Sequence, residues 1–218
     1  MKGLMNHKII IPRHITIMLA MALGFNFLRM AIFGSYSYAY MFWNIFLAFL
    51  PFFIGYALVV FSNSGKLTNS LFVVGSLAWL FLLPNSFYLV TDLIHLSHGR
   101  MIPVIFDTLM FFSSAELGVY LGIHSVLQME EILNKRYSQV VTRRVIPVII
   151  ILTSFGMYLG RFLRFNSWDI LTNTFSLSKE VFRIISHPVI YKDAYLYTIL
   201  FSVFVYLSLI AYKKINIK

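Results

Sequence analysis

From Leu67 to Thr91 the chain reads LTNSLFVVGSLAWLFLLPNSFYLVT, without one Asp, Glu, Lys or Arg. Residues 30–65 are equally free of them. A soluble fold cannot wet two such runs, because about a quarter of its residues are ordinarily charged. In a bilayer every backbone polar group has to be satisfied inside the protein, so each run reads as membrane-crossing helix. No sustained alternation of period two argues for a barrel.

The rest of the chain agrees with these runs. Of its 218 residues 59% are hydrophobic and 12% charged, with a mean hydropathy of +0.79. At about 20 apolar residues per crossing, that length makes one membrane domain, 1–218, with no room for a separate soluble one. The expected fold is all-α, a polytopic bundle of six spans at about 15–33, 41–61, 70–93, 104–127, 145–164 and 194–212. Turn residues separate them: Ser62-Asn63-Ser64-Gly65-Lys66 after the second, and Ser97-His98-Gly99-Arg100 before Pro103, a residue suited to a helix's first turn. Pro51 and Pro84 fall within spans, where they free carbonyls. Met1 to Arg13 is basic and precedes an apolar run too long for a signal peptide's core, so it reads as the lead into an uncleaved first span. No internal repeat supports an inverted-repeat transporter.

The net charge of +10 comes from 18 basic and 8 acidic residues. In this composition it implies membrane lipids as partners and no nucleic acid. The six spans put eleven Lys and Arg on the side of the termini and seven on the other. The positive-inside rule then places both termini in the cytoplasm and the chain in the cytoplasmic membrane. The longest loop, about 165–193, carries Leu177, Val181, Ile184 and Ile185 on one helical face, which predicts an amphipathic helix over about 176–186 on the outer interface. Without cysteine the chain has no disulfide, thiolate nucleophile or Cys-ligated metal.

Polar residues gather toward one end. Asn85, Tyr88, Asp92 and His95 follow at i, i+3, i+7 and i+10, within an arc of about 80° at 100° per residue. Arg161, Arg164 and Trp168 share a face at the end of the fifth span, followed by Asn166 and Asp169, and Asp107 begins the fourth. An enclosed Asp without a partner gives up its charge. Ion pairs between Asp92 or Asp107 and Arg161 or Arg164 are therefore expected, either around a pocket or as packing alone. Glu116, nine residues past Asp107 and on the opposite face, is expected to meet a partner deep in the membrane. With His124 it is the candidate for a proton or ion path. Asp92-x-x-His95-x-x-His98 is a weak metal pattern, because His98 falls in the turn. No nucleotide-binding or serine-hydrolase motif is present.

Two longer patterns run through these residues: Pro84-Asn85-x-x-Tyr88-x-x-Thr91-Asp92-Leu93-x-His95-Leu96, and Tyr158-Leu159-Gly160-Arg161-Phe162-x-Arg164-x-Asn166-Ser167-Trp168-Asp169. Both resemble the signature of a bacterial membrane family, domain of unknown function thirteen sixty-one. The likeness extends from about Trp43-Asn44 through the last span, and is looser at Pro103-Val-Ile-Phe106-Asp107. It implies a multi-pass bacterial membrane protein and brings no activity with it.

The leading expectation is an outward-facing polar pocket for an amphiphilic or anionic ligand, a small molecule or a lipid-linked headgroup. Asp92 and His95 are its candidates for a catalytic acid or base. Asn85, Tyr88, Asp107, Arg161, Arg164, Asn166, Trp168 and Asp169 are its candidate ligand-binding residues. A transporter or ion path through Glu116 and His124, and an accessory protein without catalysis, stand as alternatives. Cofactor, metal, oligomeric state and catalysis stay open at the level of sequence.

Overall fold

The computed structural model describes residues 13–97 and 101–216. The leader up to residue 12, His98, Arg100 and Lys218 fall outside them. Eight α-helices follow in order: α1 (Arg13–Phe33), α2 (Tyr40–Asn63), α3 (Asn69–Thr91), α4 (Met101–Arg136), α5 (Gln139–Leu163), α6 (Asp169–Thr172), α7 (Thr174–Ser186) and α8 (Lys192–Asn216). A 3-10 turn, Asp92–Ser97, extends α3. Six of the helices are long and apolar enough to cross a membrane, and the described residues hold no strand. The chain is an all-α, multi-pass membrane protein.

The bundle is built around α4, which touches α1, α2, α3, α5 and α8. The approach of α3 to α4 depends on missing side chains. A Cβ on Gly118 would run into the carbonyl oxygen of Ser86, and one on Gly122 would run into the Phe87 ring. Small residues one turn apart let two helices close on each other where lipid supplies no hydrophobic push. The Trp79 indole donates to Ser125 Oγ at 2.6 Å across the same seam. The core lies in two parts. One, around Trp79, Phe87, Met129 and Ile150, joins α3, α4, α5 and α8. The other, around Ile15, Met41, Phe111 and Leu117, joins α1, α2 and α4.

Contrary to the expectation of a span ending near residue 127, α4 runs on to Arg136. Its last turns are held by polar groups that hydropathy does not register. Arg136 donates to Asn69 Oδ1 at 2.9 Å and to the Leu67 carbonyl at 2.6 Å, and lies 4.5 Å from the centre of the Phe72 ring. Lys213 meets Glu130 at 2.6 Å. Six crossings bring Arg13 and Asn216 to this same end, called here the terminal end; the other is the site end.

The glycine seam makes a prediction. Gly118→Ala should lower the melting temperature in mild detergent, by the equivalent of about 1–3 kcal/mol of overpacking. Gly24→Ala, where a Cβ meets nothing within 4 Å, should leave it unchanged or slightly raised.

Candidate functional site

Asp92 ends α3 and is wholly enclosed, 0% exposed. Its Oδ1 accepts from Arg161 Nη1 at 3.1 Å, and its Oδ2 accepts from Asn44 Nδ2 at 3.3 Å. Arg161 Nη2 donates to the Thr91 carbonyl, and its guanidinium sits 5.1 Å from the centre of the Tyr88 ring. One carboxylate thus ties the ends of α2, α3 and α5. Arg161 Nε, although buried, has no hydrogen-bond partner among the described residues.

Asp107 does not join this group. It faces α1, where Arg29 Nε donates to its Oδ1 at 2.8 Å. The Arg29 guanidinium lies 5.0 Å from the centres of the Phe33 and Tyr38 rings. Burial, and then the Asp107 carboxylate beside it, push the Tyr38 phenol above its ordinary value. The expected pairing of Asp107 with Arg161 or Arg164 is therefore corrected to Arg29. The signal was in the sequence: a lone Arg in the first apolar run needs a partner.

Beside the Asp92–Arg161 pair lie two adjoining hollows. One, of about 360 Å³, opens between α2, α3 and α5. Its walls are largely apolar, including Trp43, Phe81, Leu152 and Phe155, and Leu177 and Val181 of α7 cover it. Asn44, Asn85, Tyr88, Asn166 and Ser167 supply its polar groups. Asn85 Nδ2 donates to Ser167 Oγ at 2.9 Å. Pro51 and Pro84 have no N–H to give to the carbonyls of Leu47 and Leu80, and both leucines line the space. Gly156 keeps α5 close to α3, since a Cβ there would stand 2.8 Å from the Pro84 ring. The second hollow, about 510 Å³ and more open, is lined by Tyr88, His95, Arg161 and Arg164 together with Gly160 and Asn166. Tyr88, Gly160 and Asn166 belong to both.

Arg164 is the cation of this hollow without an acidic partner among the described residues. It ends α5 at φ 60°, ψ 29°, in the left-handed region. Glycine is the usual residue at such a helix end, because it has no Cβ to clash. His95 is 45% exposed, with Nε2 4.0 Å from Asp92 Oδ1, too long for a hydrogen bond. The change to 3-10 winding at Asp92 ends the expected helical stripe, so His95 turns toward the open recess while Asp92 stays inside.

Trp168 and Asp169 line neither hollow. Asp169 is spent on its own turn: Oδ2 accepts from the Asn166 N–H at 2.6 Å, and Oδ1 from Thr172 Oγ1 at 3.3 Å. Of the expected outer helix face, Leu177 and Val181 turn to the hollow and Ile184 is buried, but Ile185 is exposed. Among the described residues no three His, Asp or Glu side chains gather as metal ligands, and His98 lies outside them. Sequence reasoning left Asn44 and Ser167 off the list of site residues, although both stand in the stretches that carry the family likeness.

A multi-pass membrane protein with two joined hollows at one end of its bundle is thus the class. Residues 43–208 match the family described as "Protein of unknown function (DUF1361)", and the chain belongs to it. The match contains both hollows and leaves out α1, so the Arg29–Asp107 pair straddles its boundary. No curated protein and no solved structure matches the chain.

The buried pair has a measurable signature. Arg161→Ala should cost about 3–5 kcal/mol by stranding Asp92. Asp92→Asn combined with Arg161→Met should restore most of it. Unfolding in detergent, followed by circular dichroism, checks both.

Proposed function

We propose that the two hollows together bind an amphiphile with an anionic headgroup, its apolar part between α2, α3 and α5 and its head in the open recess. The observation that carries this reading is the shared wall: an apolar chamber and a basic recess meet at Tyr88, Gly160 and Asn166. A chamber of about 360 Å³ falls within the range of small-ligand sites. Arg164 has free donors for a phosphate or carboxylate, and the fork of a guanidinium suits either. Arg161 is clasped by Asp92, the Thr91 carbonyl and the Tyr88 hydroxyl, and Nε, its one side-chain nitrogen without a partner among the described residues, is buried.

On this reading Asp92 is a positioning residue. It is enclosed and holds Arg161, and it does not touch the ligand. His95 is the group in the recess able to take or give a proton. The excess of Lys and Arg at the terminal end supports a site that faces away from the cytoplasm. The ligand is then a lipid of the outer leaflet or a lipid-linked headgroup.

The left-handed conformation of Arg164 allows a test that separates binding from folding. Arg164→Gly removes the cation and relieves the backbone, so the variant should be as stable as the parent or more stable by about 0.5–1 kcal/mol. Its affinity for phosphatidylglycerol in nanodiscs or by native mass spectrometry should fall roughly 10-fold or more, as expected for a lost charge-assisted contact of about 1.5–3 kcal/mol. Phosphatidylcholine of the same chain length should bind weakly to both. Equal binding of the two lipids by the parent, or unchanged phosphatidylglycerol binding by the variant, would sink the proposal.

A further inference from the structure

Glu116 stands apart from everything described so far. It lies on α4, exposed on the outer surface of the bundle. Contrary to the expectation of a partner, it makes no hydrogen bond or ion pair among the described residues. Nine residues, roughly 14 Å of helix at about 1.5 Å per residue, separate it from Asp107. The hydrocarbon layer is about 30 Å thick, so Glu116 falls near its middle. A carboxylate facing lipid there costs about 2.5–3.5 kcal/mol even on the lenient insertion scale, and such residues mark ion and proton sites.

A chain of protonatable groups lies on its face of α4 toward the terminal end and begins one helical turn away, at Tyr120. Tyr120 and His124 follow Glu116 at i+4 and i+8, which puts all three on one face. The Tyr120 hydroxyl is hydrogen-bonded to His14 Nε2 of α1 and lies 3.5 Å from the Tyr212 hydroxyl of α8. The Tyr212 hydroxyl is 2.7 Å from His124 Nε2. His14 is exposed at the start of α1, at the terminal end. Each of these groups both donates and accepts, which is what passing a proton along requires. In sequence, Arg13 adjoins His14 and Lys213 adjoins Tyr212, and Lys213 is held by Glu130 at 2.6 Å.

In the other direction the chain stops. Toward the site end the exposed face of α4 carries Phe112, Leu109, Thr108 and Ile105, and the Thr108 hydroxyl is given to the Val104 carbonyl at 2.7 Å. Asp107 is turned to the opposite side and engaged by Arg29. A through-path across the membrane therefore finds no support among the described residues.

We propose that Glu116 is a proton-binding site within the membrane, loaded from the terminal end through His14, Tyr120, Tyr212 and His124, with no exit toward the site end. The inference does not depend on the amphiphile site.

Dicyclohexylcarbodiimide tests it on the full chain in proteoliposomes of known orientation. The reagent is apolar and reacts with a protonated carboxyl: the proton moves to a carbodiimide nitrogen, the carboxyl oxygen adds to the central carbon, and the adduct rearranges to a stable N-acylurea. Peptide mass spectrometry locates the label. The expected result is labelling of Glu116 that slows, by up to about 10-fold per unit, as pH is raised on the terminal side alone. Glu116→Gln should abolish that label. Tyr120→Phe, shown to be folded by an unchanged melting temperature, should slow it several-fold. An unlabelled Glu116, labelling that ignores terminal-side pH, or labelling that follows pH on the opposite side would overturn the site. Equal rates in the parent and Tyr120→Phe would overturn the relay.

Discussion

A charge between packed helices must be answered by another within reach, and the site end of this bundle is arranged by that demand. Asp92, fully enclosed, binds Arg161 and is bonded by Asn44, so one carboxylate draws α2, α3 and α5 to a common point. Fixing three helix ends also fixes the gap between them. The apolar chamber is that gap, kept open by the side chains of Trp43, Phe81 and Leu152 and by α5 glycines that carry no bulk into it. The pair thus holds the hollow without lying in its apolar part. On the other side of α4, Arg29 and Asp107 perform the same service for α1.

Much of this fold was legible in the sequence, for a simple reason. Two runs without charge leave a chain few places to be, and six spans with short turns leave few ways to arrange them. The Asp92 to Arg161 pairing was legible too, as one of four combinations that charge balance allowed. Asp107 fell outside all four because Arg29 takes it, and the one sign of that in the sequence was a lone Arg within the first apolar run. The length of α4 escaped for a related reason. Its last turns are held by Arg136 against Asn69 and Leu67 and by Lys213 against Glu130, contacts between residues far apart in sequence. Gly118 and Gly122, by contrast, stood one turn apart in plain view, and their spacing is the kind that sets helices close.

The left-handed Arg164 was not legible at all. A helix ending in Gly announces its turn, whereas an Arg in that position looks like one more surface cation. Glu116, expected to meet a partner, meets none among the described residues, and the cost of a carboxylate at that depth does not say what answers it.

The covering of the chamber has a mechanical side. Helix α7 presents Leu177 and Val181 downward, while Phe175 and Phe182 stand 82% and 71% exposed on its other faces. Its ties to the bundle are few: the buried Ile184, with its carbonyl accepting from the Tyr195 hydroxyl at 3.1 Å. With the site end at a bilayer surface, as the proposed orientation has it, Phe175 and Phe182 are the rings of α7 that lipid would meet. Under the proposed function, a leaflet that lifts or presses α7 would change the space beneath Leu177 and Val181, and with it the room for the amphiphile.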